Sequence, residues 1–511
     1  MDGVDRAVEQ FPMYIDGRAV PAHDGAVLRT FEPATRRHLA DLPSGGPEDV
    51  RRAVAAARRA FDDGPWPRMA PGERADLLRE AARRLREEGD SLAGLEARDN
   101  GSTLRKALGA DVPGASAAFE WSAWWAEHLP ERQPEAPVPD GAGSYVVWRP
   151  VGVVAAIVPW NLPLLLAAWR IAPAIAAGNT CVIKPASFAS LSTLRLVGLL
   201  HECGLPPGVV NVVTGPGGVV GEHLVRSPGV DLVAFTGSDE TGAAVREGAA
   251  SAGTSARLDL GGKSPNIVLA DADLDRAVTG VAWGAFLHNG QVCMAGTRAV
   301  VHADVHDDFL RLLAERVGRL RVGDPLDPAT DLGPLVSRNQ ARTARRFTEL
   351  GLSQGAELVC GGRAPAAGEL PDGLDAGAYF LPTVLASVDA DDAVAQEEIF
   401  GPVLSVIRAA SDDDAVRIAN GSRYRLSAGV WSVDPARART VAERLRADRV
   451  WINDYRLVDL ELPGAAGSRS AVWDRLTNEL DAYRRKHVVH GGGTGAGGVS
   501  APPTPYALLG G

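Results

Sequence analysis

The chain has 511 residues, is 45% hydrophobic and 23% charged, and carries a formal net charge of -11. That length implies two to four domains or one multilobed unit with ample core. The negative net charge argues against nucleic acid or an anionic membrane as the main partner. Four scattered cysteines, Cys181, Cys203, Cys293 and Cys360, form no CxxC pair, so no metal site is expected and a reducing, cytoplasmic setting fits.

In chain order, MDGVDRAVEQFPMYIDG carries early acids and no long apolar run, so it is not expected to be a signal peptide. Residues 49–64 and 72–98 are rich in Ala, Arg, Glu and Leu with helical periodicity. From 145 the texture changes. YVVWRPVGVVAAIVPW reads as strands and LPLLLAAWRIAPAIAAG as a helix ending at Gly178. The apolar run inside it is far too short to cross a bilayer. NTCVIK, VVNVVTG and DLVAFTG then read as strands, alternating with helices over SLSTLRLVGLLHECG, GVVGEHLVRS and SDETGAAVREGAA, the last with Ser238 as a plausible N-cap. Such alternation predicts a parallel sheet covered on both faces. Ligands of these sheets sit at the carboxyl ends of the strands, so the loops at 159–163, 184–188, 236–239 and 260–264 are the ones to search. A second alternating series runs from about 265 to 450 through PNIVLA, TRAVVHA, FLRLLAERVGRL, VLSVIR and RVWIND. Residues 491–511 have linker composition and are expected to be disordered.

Several residues in those loops can carry chemistry. Cys293, in HNGQVCMAGTR, follows a polar Gly-containing turn, whereas Cys181 lies inside the apolar NTCVIK. A thiol nucleophile needs donors for an oxyanion, an acceptor for hydride or a leaving group, and a base. VPWN offers the Asn161 amide, KPAS offers a lysine fixed by Pro185 for a ribose or phosphate, and FTGS opens a helix that can take a pyrophosphate. GPGGVVG is a weak glycine fingerprint because its spacing is not G-x-G-x-x-G. In ARLDLGGKSPN, Asp259 has two readings. It is either a strand-end residue tying down the Gly261-Gly262 turn or the base that a neighbouring nucleophile requires.

Taken in order, PWN, KPA, FTGS, LDLGGKSP, GQVCMAGTR and EEIFGPV resemble the aldehyde dehydrogenase superfamily, from about residue 10 to 456. The resemblance implies an α/β fold in three parts. A Rossmann-like NAD(P)-binding domain would take 1–127 and 151–260, and an α/β catalytic domain 261–456. A small β-flap for oligomerisation would combine 128–150 with 481–490. It further implies NAD(P)+-dependent oxidation of an aldehyde to a carboxylic acid by a homodimer or homotetramer. Cys293 is then the attacking thiolate, Asn161 and the Cys293 N–H form the oxyanion hole, and Asp259 occupies the position of the base. Lys184 and Ser187 fall at the adenine ribose, Trp160, Gly237 and Ser238 at the pyrophosphate, Glu398 at the nicotinamide ribose and Phe400 against the nicotinamide. Leu162, Leu166, Trp169, Leu287, Val292 and Met294 are expected to line a tunnel for an apolar or aromatic aldehyde, with Asp454 and Tyr455 suited instead to an amino-aldehyde.

Three departures qualify that reading. The family carboxylate is normally Glu, and Asp259 is about 1.5 Å shorter. The thioester could therefore be released to a thiol or amine instead of water, and a degenerate, non-catalytic subunit is the remaining alternative. Ser187 stands where an acid in many NAD-preferring members repels a 2′-phosphate, so NADP+ should be tolerated, with preference between NAD+ and NADP+ open. Residues 460–489 keep the terminal strand pattern but lose the usual glycine-rich elements, and Arg425 occupies a turn where glycine is usual.

Overall fold

A computed structural model of the chain describes residues 9–128, 132–134, 145–455 and 480–489. The expected disordered tail at 491–511 and the divergent stretch over 456–479 lie outside the described residues.

Two seven-stranded sheets dominate. In the first, the strand order is Ser255–Asp259, Leu232–Thr236, Val153–Ile157, Thr180–Lys184, Val210–Val212, Met13–Ile15 and Arg18–Val20. The first five are mutually parallel and the N-terminal hairpin adds antiparallel at the edge. The three inner parallel strands are apolar or β-branched runs buried at every position, as a sheet covered on both faces requires. Helices Pro163–Ala176, Leu191–Glu202 and Asp239–Ser251 make the crossovers. Pro163 starts the first of these, where its missing N–H costs nothing, and Ser238 caps the last by accepting from the Thr241 N–H. The GVVGEHLVRS segment is shorter than a full helix, being a five-residue π turn, Gly217–Gly221, and then Glu222–Val225. Strand order reverses at Val153–Ile157, so the loop at its carboxyl end lies at a topological switch point.

The second sheet runs Glu357–Cys360, Thr383–Ala386, Val403–Ala409, Arg298–His302, Pro265–Val268, Ala428–Trp431 and Val450–Ile452, parallel but for the first strand. Residues 260–264 connect the carboxyl end of Ser255–Asp259 to the amino end of Pro265–Val268. The carboxyl ends of one sheet therefore lead directly into the amino ends of the other. A separate three-stranded antiparallel sheet joins Arg132–Pro134, Tyr145–Pro150 and Arg484–Val489. It is tied to the first sheet where Asn179 Nδ2 donates to the Tyr483 carbonyl at 2.9 Å.

Candidate active site

The Cys293 loop is shaped by backbone that most residues avoid. His288, Asn289 and Gly290 take φ of 52°, 56° and 68°, a left-handed run that is costly for two non-glycine residues and needs surrounding structure to hold it. Asn289 Nδ2 supplies part of that hold by donating to the Gly333 and Pro334 carbonyls at 3.0 and 3.2 Å. Gln291 Oε1 supplies more by accepting from the Val336 N–H at 3.0 Å. Tyr455 then donates its hydroxyl to the Met294 carbonyl at 2.7 Å. Cys293 is clamped on both sides of its own position.

Asn161, at the switch-point loop of the first sheet, donates Nδ2–H to the Gln291 carbonyl at 2.7 Å. One amide hydrogen is used in that bond, and the amide carries a second that can donate. On another side, a Cβ added at Gly262 would run into the Cys293 carbonyl, well inside van der Waals contact. Gly262 also donates its N–H to Glu398 Oε1 at 3.0 Å, and a Cβ at Gly261 would strike the Glu398 carboxylate. Both glycines are therefore required by close approach, and they set Glu398 and Cys293 around one turn. Burial, with the Glu398 carboxylate nearby, pushes the Cys293 thiol up to about 11. Burial likewise raises Glu398 to about 7, against the hydrogen bond from Gly262. Cys181, in mid-strand, is pushed up to about 12 by burial.

Asp259 ends its strand as expected, but its carboxylate does not tie down the Gly261-Gly262 turn. Its Oδ2 is ion-paired to Arg170 Nη2, while its carbonyl accepts from the Gly237 N–H at 3.1 Å. The glycine turn is held by Glu398 instead. Arg170 was not legible as a site residue, although an arginine buried within an otherwise apolar helix signals a buried partner.

The expected nucleotide residues gather along the first sheet. Trp160 stands edge-on to Phe400, with ring centroids 5.3 Å apart at 88°, and 6.1 Å from Phe188. Phe400 takes a φ of 55°, and Gln340 Nε2 fixes it by donating to its carbonyl at 2.8 Å. Lys184 is buried, donates to the Pro185 carbonyl at 2.6 Å and is lowered to about 8 by desolvation. Its stem lies against Gly221, and Ser187 Oγ donates to the Gly215 carbonyl at 3.0 Å. The KPAS turn and the glycine stretch thus form one wall, with open space above Gly217 and Gly218. A Cβ at Gly237 would strike the Phe235 ring, so the FTGS turn also needs glycine. This donor set fits a dinucleotide, with backbone free for close approach, a lysine and hydroxyls for a ribose, and the capped start of Asp239–Ser251 for phosphate.

Of the expected tunnel residues, Leu162, Leu166, Val292 and Met294 are buried in the main core, with Trp169 and Leu287 half-buried against it. Leu287, Asp454 and Tyr455 line a cavity of about 1050 Å³ together with Trp283, Phe286 and Lys106. Among the described residues no group of His, Cys, Asp and Glu is arranged to hold a metal ion. No described helix is long and apolar enough to cross a membrane.

A strand-end dinucleotide cleft facing a clamped cysteine defines an oxidoreductase working through a thiol. The aldehyde dehydrogenase family model matches residues 20–482. A betaine aldehyde dehydrogenase of Bacillus subtilis is 39% identical over 478 residues, 93% of this chain and 96% of that protein. The NADP/NAD-dependent aldehyde dehydrogenase PuuC of Escherichia coli is 39% identical over 88% of this chain and 89% of its own length. Among solved structures, a putative aldehyde dehydrogenase from Burkholderia cenocepacia superposes with a TM-score of 0.88 at 38% identity, covering 94% of this chain and 97% of its own. A betaine aldehyde dehydrogenase from Staphylococcus aureus in complex with NAD+ gives 0.87 at 34% identity, covering 94% of each chain. The chain belongs to the aldehyde dehydrogenase family and is an NAD(P)-dependent aldehyde dehydrogenase.

Proposed function

We propose that Cys293 is the nucleophile of this oxidation, that Asn161 and the Cys293 N–H hold the oxyanion, and that Asp259 is the base for hydrolysis. Cys293 Sγ adds to the aldehyde carbon, and the carbonyl oxygen takes the negative charge against the second Asn161 amide hydrogen. Bound NAD(P)+ supplies the acceptor for the hydride that leaves the same carbon. The thioester left on Cys293 is cleaved by water, whose proton passes to Asp259 as the C–S bond breaks and the acid departs. The observation that carries this reading is the tethering of the Cys293 loop, by Asn161 to the Gln291 carbonyl and by Tyr455 to the Met294 carbonyl. Fixed geometry of that kind is what a near-attack arrangement needs.

Trp160, Lys184, Ser187, Gly237, Ser238, Glu398 and Phe400 are the cofactor contacts in this reading. Ser187 leaves a 2′-phosphate unrepelled, so both NAD+ and NADP+ serve. The aromatic cavity at Phe286, Leu287 and Tyr455 favours an aldehyde with an apolar body, and Asp454 favours one that also carries an amine. The three-stranded sheet, whose outer strands are each paired on one side only among the described residues, supports a homodimer or homotetramer, and a cytoplasmic setting fits the free thiols. The Arg170–Asp259 pair favours one second reading, release of the thioester to a thiol or amine, because it engages one oxygen of the base. A rapid-mix experiment over a panel of aldehydes tests the scheme. A burst of NAD(P)H stoichiometric with sites, followed by a slower phase, is expected, and the absence of any thioester-linked phase overturns it. Acceleration of the slow phase by coenzyme A or an amine, with the thioester or amide as product, favours the second reading.

A further inference from the structure

A second cavity, of about 560 Å³, lies where the three-stranded sheet meets the helices around the first large sheet. The strands Tyr145–Pro150 and Arg484–Val489 wall one side of it. Residues near the ends of the helices Pro47–Asp62, Pro71–Glu87, Val112–His128 and Pro163–Ala176 wall the other. It shares no lining residue with the cavity at Leu287 and Tyr455. Arg68, Arg74, Arg149, Arg484 and Arg485 line it, and among the described residues no carboxylate does. The chain as a whole has a net charge of -11, so a lining of arginines without an acid runs against its composition.

Helix ends account for two of these arginines. Arg68 donates to the Asp62, Asp63 and Gly64 carbonyls at 2.7, 3.2 and 3.0 Å, where Pro47–Asp62 ends. Arg74 Nε donates to the Ala176 carbonyl at 3.3 Å, where Pro163–Ala176 ends. Cations are favoured at helix C-termini, but a carbonyl carries no net charge, so these bonds leave positive charge in the wall. The other three arginines belong to the strands. The Arg484 side chain is only 9% accessible, stacks with its Cζ 4.6 Å from the Trp148 ring centroid, and is ion-paired through Nη2 to Asp481. Its Nε is buried with no hydrogen-bond partner among the described residues, a state that burial penalises. Arg149 and Arg485 are exposed and stand opposite each other in register on the antiparallel pair. Like charges directly opposite on such a pair are destabilising. Lys486 adds a further cation, its Nζ 5.1 Å from the Trp148 ring centroid. An anion seated here offsets the repulsion that the strand pair otherwise carries.

We propose that this cavity is a binding site for a carboxylic acid with a compact apolar body, taken up as its anion. The planar oxygens of a carboxylate match the fork of a guanidinium, which accounts for the arginines. The rest of the wall is apolar, with Met69, Pro71, Trp125 and Leu480 in it, and it takes the body of the ligand. The volume is that of a small-molecule site. A bare inorganic anion would leave the apolar wall uncovered, and a neutral compound would leave the guanidinium charges unmet. No residue assigned to the oxidation lines the cavity, so occupancy requires neither the Cys293 thiol nor turnover.

The test is calorimetric titration of benzoate into the full chain carrying Cys293→Ala, with NAD+ present. Inorganic phosphate and benzyl alcohol are the companion probes, one with the charge and no body, the other with the body and no charge. One saturable benzoate site per chain is expected, about tenfold or more tighter than either companion. Adding Arg484→Gln should weaken benzoate by roughly tenfold or more, because a buried charge partner is lost. Arg485→Ser, at an exposed charge, should weaken it by about threefold, and Arg149→Ser with Arg485→Ser by about tenfold. Because Arg484 is enclosed, its replacement can unsettle the three-stranded sheet. The Arg149→Ser/Arg485→Ser pair then decides the matter, with the NAD(P)H burst of the same substitutions in the Cys293 protein, kept within about twofold of wild type, as the check on folding. Absence of saturable benzoate binding overturns the proposal. So does a benzoate affinity unchanged in every variant that folds, since the anion would then lie elsewhere. Phosphate bound as tightly as benzoate overturns the assignment of an apolar-bodied acid.

Discussion

The two large sheets meet at the cleft with opposite ends. The first sheet presents carboxyl ends, with Trp160 and Asn161 following Val153–Ile157, Lys184 and Ser187 at the end of Thr180–Lys184, Ser238 after Leu232–Thr236 and Asp259 closing Ser255–Asp259. The second presents amino ends, with Gly261 and Gly262 before Pro265–Val268, Cys293 before Arg298–His302, and Glu398 and Phe400 before Val403–Ala409. The rule that ligands bind at the carboxyl ends of parallel strands thus locates the nucleotide side of the site and misses the thiol side. The difference has a physical basis. A carboxyl-end loop feeds a helix N-terminus and offers N–H groups to phosphate. The amino-end loops here offer held backbone instead, with His288, Asn289 and Phe400 all at positive φ. In the proposed scheme one sheet binds and the other aims.

The sharpest break in that comparison is Cys293→Ala. If the second sheet only aims a nucleophile, turnover should fall by on the order of 10⁴-fold or more, while nucleotide binding at the first sheet, followed by fluorescence titration, stays within about twofold. Coupled loss of both would mean the two ends are not separable.

Gly262→Ala probes the seam itself. The added methyl would meet the Cys293 carbonyl, so the thiol must shift. A displacement near 1 Å costs roughly 10²-fold in rate, so the NAD(P)H burst should slow by about that factor with the cofactor still bound. An unchanged burst rate would show that the loop can give way without cost.

How far these features were legible follows the same division. The strand ends of Val153–Ile157, Thr180–Lys184 and Leu232–Thr236 were readable because each closes a short run with Val, Ile or Thr that is buried throughout, and the residue after it is fixed by counting. Cys293 was readable from its polar turn against the apolar setting of Cys181. What escaped were contacts between residues distant in the chain. Arg170 reaches Asp259 across 89 positions, and Glu398 reaches Gly262 across 136. Neither pairing follows from periodicity or spacing. The tie of the Gly261-Gly262 turn to Glu398, where Asp259 had been one of two expectations, is the clearest case. Which of Leu162, Leu166 and Val292 reach a substrate was equally hidden, because helical spacing places core and lining residues on one face.

Ser187→Glu sharpens the binding side. An acid beside the Lys184 wall would repel a 2′-phosphate, raising KM for NADP+ relative to NAD+ by about tenfold, the scale of one repelled charge pair near ~1.4 kcal/mol. Steady-state kinetics with both cofactors measure it. Unchanged selectivity would separate Ser187 from the ribose and with it the Gly215 contact from the cofactor wall.

The smallest expected effect tests how the second sheet sets the thiol. Two causes raise Cys293 to about 11, burial first and the Glu398 carboxylate second. Glu398 itself ionises near 7, so above that pH it is a negative charge facing a thiol that must also become negative. Glu398→Gln removes the second cause and keeps the first. The thiol pKa should therefore fall, by less than burial raised it, and remain above the ordinary value. Well below its pKa the thiolate fraction rises tenfold for each unit of fall, so alkylation of the cofactor-free protein by iodoacetamide at pH 8 should speed up by about threefold to tenfold. At pH 6, where the wild-type Glu398 is mostly protonated and already neutral, the two proteins should react alike. The pH at which their rates diverge reads the Glu398 titration directly. Divergence that persists at pH 6 would mean that the glutamine acts by moving the Gly261-Gly262 turn, not by discharging it, and the amino-end loops would then aim the thiol through backbone position alone.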